Sequence, residues 1–86
     1  MTIEAMAREF LAATKKRAQA RSHLSALRRN WINEGGGFFD EEECRGEVGY
    51  DEIMAAIKAR EDANAEYRRA KSRLFRACAP GAGGKQ

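Results

Sequence analysis

Eighty-six residues, 43% hydrophobic and 34% charged, form one small domain at most, with too little interior for high stability unaided. Cys44 and Cys78 stand far apart with no CxxC spacing. A disulfide framework is therefore not expected, and a Cys–Cys–His set with His23 would lack a fourth zinc ligand.

Apolar runs of only a few residues are too short to cross a bilayer. Glu4 and Glu9 sit where organellar presequences avoid acids. These features, with two lone thiols, make a reduced cytoplasmic protein the expectation. The net charge of +3 hides a polar distribution. Residues 2–33 carry seven basic groups and two acids, residues 34–52 one base and eight acids, and residues 53–78 seven bases and three acids.

The first arm holds a heptad seam. Ile3, Met6, Phe10, Ala13, Arg17, Ala20, Leu24, Leu27 and Trp31 follow one another at alternating spacings of three and four, the rhythm that lines one side of a helix. Thr2 fits the N-cap and Glu4 the first turn. Asn33 and the run Gly35-Gly36-Gly37 should stop the helix, placing it over 2–33.

A connector over 34–50 is too long for a minimal turn, and connections of that length are often functional. Its glycines read as flexible. Phe38 and Phe39 precede Asp40-Glu41-Glu42-Glu43. Asp40 with Glu43 fits a capping box, and Phe39 with Cys44 a hydrophobic staple, so a short helical turn is expected over 40–45, stopped by Gly46. Two readings of the aromatics compete. Both rings could fold down beside Trp31 and Tyr50 to cap the end of the molecule. Alternatively, Phe38 and Phe39 anchor a partner, with Glu41, Glu42 and Glu43 as the charged rim.

The second arm repeats the rhythm in Ile53, Ala56, Arg60, Ala63, Tyr67, Ala70, Leu74 and Ala77, widened by Tyr50, Ile57 and Cys78. Asp51 and Glu52 suit its first turn and Pro80 blocks continuation, giving a helix over 51–78. Residues 80–86 read as a flexible tail to a single domain spanning 1–79. Alanine at every seventh position (56, 63, 70, 77) allows close approach.

Two helices of matched length with one connector fold back antiparallel. The expected fold is all-α, a helical hairpin. That pairing sets Trp31 near Tyr50, Leu24 near Ile57, Ile3 near Cys78 and Arg17 near Glu61 and Asn64. Arg17 and Arg60 interrupt the seam. They either snorkel to water or form a polar layer that fixes register or holds an acidic partner.

A weaker apolar strip of Leu11, Ala18 and Ile32, with Met54 and Phe75 beside the second seam, invites dimerisation into a four-helix bundle. No P-loop, GxGxxG or HExxH is present, and His23 lacks an acid or nucleophile placed by sequence. Neither an enzyme nor a cofactor or metal site is expected. The leading expectation is a small interaction module that binds another protein, an adaptor, chaperone or inhibitor of the kind phages and plasmids carry as accessory proteins. The alternative is nucleic-acid binding along a basic outer face. Its candidates are Arg8, Lys15, Arg21, Arg28 and Arg29 on the first helix, with Arg68, Arg69, Arg73 and Arg76 on the second.

Overall fold

The computed structural model describes residues 2–78; the tail expected from Pro80 lies outside these residues. Helix α1 runs Ile3–Trp31 and helix α2 runs Tyr50–Cys78. They pack against each other as an antiparallel hairpin in a rod of 57 × 21 × 16 Å. At α1's start the Ala5 amide donates to Thr2 Oγ1 at 3.0 Å, the side-chain cap expected for threonine there. Glu4, in the first turn, lies 3.4 Å from Arg8, an exposed pair one turn apart that adds little.

The seam is the core. Ala13, Leu24 and Trp31 of α1 and Ile53, Ala56, Ala63 and Ala70 of α2 are buried. Three of the four heptad alanines thus lie under the partner helix, where a methyl lets the backbones approach. Leu24 and Ile53 are the largest fully buried side chains. Register is readable from two ion pairs across the hairpin, Lys16–Glu66 at 3.1 Å and Glu9–Arg73 at 2.7 Å. They lie one heptad apart on each helix, as an antiparallel 3.5-residue repeat requires.

Rings pack toward both ends of the seam. Phe10 packs on Tyr67 at 5.4 Å and on Phe75 at 6.4 Å between centroids. The Arg17 guanidinium lies over Tyr67, 4.2 Å from the ring centre. Arg17 therefore does not simply snorkel. Its stem lies in the seam and its cation rests on an aromatic face, an arrangement of about 0.5–1 kcal/mol at a partly exposed site.

At the loop end, Leu24, Trp31, Cys44, Ile53 and Ala56 form one buried cluster, with Leu27, Phe39, Tyr50 and Ile57 packed against it. Cys44 is buried there, whereas Cys78 is exposed at the opposite end of α2; both are free thiols.

Helix α1 stops as an α-helix at Trp31, two residues earlier than the sequence suggests, and the chain continues as a wide π-type turn over Ile32–Gly36. The glycines after it are not merely flexible. Gly35 takes φ +89°, which side-chain-bearing residues rarely adopt. Gly36 lies so close to the indole that a methyl added there would come within 2.4 Å of Trp31 Nε1. The turn folds its backbone over Trp31, and only a residue without a side chain allows that approach.

Candidate functional surfaces

The loop is an ordered structure built on Asp40. Its Oδ1 accepts hydrogen bonds from the Glu42 and Glu43 amides, both at 2.9 Å, and its carbonyl accepts from the Cys44 amide at 3.0 Å. This is the Asp40 half of the expected capping box, closing one helical turn. The Glu47 amide then donates to the Cys44 carbonyl and the Tyr50 amide to the Glu47 carbonyl, each at 3.0 Å, so the chain steps by tight turns into α2. The turn drives Cys44 into the core and leaves Glu41, Glu42 and Glu43 on the outside.

The neighbouring phenylalanines diverge. Phe39 packs edge-on to Trp31, with centroids 5.1 Å apart, and stacks on Tyr50 at 5.8 Å. It is the cap, wedged between the rings expected to meet directly. Phe38 is 89% exposed, so the reading in which both rings fold down is corrected for this residue. The chain bends at Phe38, so one ring is committed to the end of the core and the other leaves it. Phe38, Phe39, Ile32 and Arg28 line an open hollow of about 240 Å³. Ile32 is 58% exposed, and Val48 on the other side of the loop is 97% exposed. An ordered, acid-studded loop therefore presents bare apolar side chains.

The second surface is basic. Arg17, Arg21, Arg60, Arg68, Glu61 and Asn64 line one hollow between the helices. Arg68 also lines a second, along the outside of α2, with Arg69, Arg73, Arg76, Ala65 and Ser72. One continuous surface thus carries seven arginines. Arg17 and Arg60, expected as candidate partner-binding residues, both lie on this surface.

Of the other basic candidates, Arg21 joins it, Arg28 borders the Phe38 hollow, and Arg8 pairs with Glu4. Lys15 and Arg29 are exposed on α1 and line neither hollow, and His23 is exposed.

The strip expected to dimerise is split. On α2 it reads Met54, Glu61, Arg68, Phe75 at seven-residue intervals, so charge occupies its two middle positions. Phe75 is half covered by Phe10 and lies under Lys71, with Nζ 5.5 Å from the ring centre. Leu11 and Ala18 are exposed, and Met54 is partly buried.

Among the described residues no group of three metal-ligating side chains converges, and no helix is long and apolar enough to cross a membrane. The fold and surfaces define an α-helical hairpin with an ordered acidic loop. No protein-family model, curated protein or solved structure matches the chain.

Proposed function

We propose that the chain is a non-enzymatic interaction module that binds another protein through its loop end. One contrast carries this reading: Phe39 is packed into the core while the adjacent Phe38 is 89% exposed. The Asp40 turn and the Trp31–Phe39–Tyr50 stack fix the loop in the free protein, so presenting Phe38 costs little ordering on binding. An exposed aromatic beside Ile32, with the exposed acids Glu41, Glu42 and Glu43 following in the same loop, has the composition of a binding hot spot. The chemistry it fits is an apolar cleft, wide enough for a phenyl ring, bordered by lysine or arginine. Such a module acts by occupying or bridging surfaces, the work of an adaptor, chaperone or inhibitor.

The test compares proteins captured from native lysate by the wild-type chain, Phe38→Ala and a Glu41→Lys/Glu42→Lys/Glu43→Lys variant. The partner should be missing from the Phe38→Ala capture, with affinity down more than ~10-fold as for a hot-spot truncation, while the melting curve is unchanged. Charge reversal should slow association and leave folding intact, because rim charges steer encounter. Retention of every captured protein by both variants would overturn the reading.

A further inference from the structure

Opposite charges alternate on much of this rod: Glu4 with Arg8, Lys58 with Asp62, Lys16 with Glu66 and Glu9 with Arg73. The surface around Arg68 breaks that pattern. Arg17 and Arg21 are one turn apart, as are Arg69 and Arg73; like charges at this spacing destabilise a helix. Antiparallel packing then adds Arg60 and Arg68 to Arg17 and Arg21 in one hollow. Glu61 is the acid in that hollow, and Glu9 reaches Arg73. Arg21, Arg60, Arg68, Arg69 and Arg76 enter none of the ion pairs among the described residues. A charged flank that only kept the rod soluble would mix signs.

From this we infer that the Arg17–Arg21–Arg60–Arg68–Arg69–Arg73–Arg76 surface binds the phosphate backbone of double-stranded nucleic acid. The inference goes beyond the loop-end reading and uses a different part of the molecule. All seven cations are arginine, whose planar fork bonds phosphate oxygens two at a time. Arg60 to Arg76 spans about 24 Å of helix, long enough to lie along several phosphates spaced about 3.4 Å apart on each strand.

The residues between the arginines decide the polyanion. Asn64, Ala65 and Ser72 offer no apolar face to insert into a lipid surface. The rings nearby are already engaged: Phe75 packs against Phe10 and lies under Lys71, and Tyr67 lies under Arg17, so neither offers a free face on which an unpaired base could stack. What remains is recognition of a regular backbone, without base readout. The acidic loop lies at the other end of the rod, so its repulsion holds a duplex on the half of the molecule nearer Arg76.

The experiment is fluorescence anisotropy with a 20-base-pair duplex, about the length of two helical turns, as DNA and as RNA, between ~50 and ~200 mM salt. Matched single strands and phosphatidylglycerol vesicles are run alongside. Wild type should bind duplex with affinity falling steeply as salt rises. Arg68→Ala/Arg69→Ala/Arg76→Ala should weaken binding at least ~10-fold and lower the log–log salt slope by about 0.9 for each phosphate no longer neutralised.

These three side chains are exposed, and circular dichroism should show the fold unchanged. The matching triple lysine variant keeps the charge and should retain salt-dependent binding with reduced affinity. Phe38→Ala should bind as wild type, which separates failure here from failure of the loop-end reading. Absence of duplex binding at low salt overturns the inference. So does an unaffected alanine triple, equal weakening by Arg8→Ala/Lys15→Ala/Arg29→Ala, or tighter binding to single strands or vesicles.

Discussion

At the scale of the residue, this molecule turns on two adjacent side chains of one type. Phe39 contributes to the end of the core through Trp31 and Tyr50, and Phe38 faces outward. Phe39→Ala should therefore lower stability by about 2 kcal/mol, less than the ~3–5 of a fully buried ring because Phe39 is only partly enclosed. Phe38→Ala should stay within about 0.5 kcal/mol of wild type, the range of surface substitutions. Chemical denaturation of both variants checks this, and equal destabilisation would contradict the assigned roles. From sequence, the aromatic pair and Asp40 stood out, and so did the turn that Asp40 caps. Which ring caps was not legible, because it depends on how the backbone crosses Trp31. That path is set by Gly35 at φ +89° and by the approach of Gly36 to the indole.

At the scale of the element, the helices are held by small residues. Ala56, Ala63 and Ala70 are buried along α2, at the intervals their spacing implies. A larger side chain mid-seam must push the backbones apart or leave its rotamer minimum. Ala63→Leu should thus destabilise the hairpin by about 1–3 kcal/mol despite leucine's good helix propensity. Exposed Ala18, changed to leucine, should cost within about 0.5 kcal/mol. Paired thermal melts measure the difference, and a neutral Ala63→Leu would show the seam to be looser than described. Periodicity exposed this stripe because residues three and four apart share one face of a helix. It could not show that Arg17 lies on Tyr67, or that Phe39 enters the loop end of the core between Trp31 and Tyr50. Those features come from the partner helix and the loop.

For the whole molecule, the exposed apolar positions and the arginine surface act against each other. We propose that self-association uses Leu11, Ala18, Ile32, Met54 and Phe75, as the sequence suggests. An isologous interface on that strip brings Arg68 and its neighbours on both copies together. The repulsion is screened over about 10 Å at 0.1 M salt and about 3 Å at 1 M. Self-association should accordingly increase with salt, opposite in sign to nucleic-acid binding, which weakens. Sedimentation equilibrium at low and high salt should show a growing dimer fraction, reduced in a Leu11→Ser/Phe75→Ser variant. A 9.6 kDa species at every salt concentration would end the dimer proposal.

The sequence by itself determined two long helices, their apolar seam, their antiparallel return and the acidic character of the connector. Each follows from local spacing, capping chemistry and the single long loop, and needs no knowledge of what lies opposite. Tertiary structure decided which phenylalanine is buried. It also gave the glycines their definite roles and joined arginines more than forty positions apart into one surface. These outcomes depend on residues distant in the chain meeting at one place. Register is the physical reason. Once Glu9 faces Arg73 and Lys16 faces Glu66, Arg17 and Arg21 must fall beside Arg60 and Arg68, whatever each helix would prefer alone.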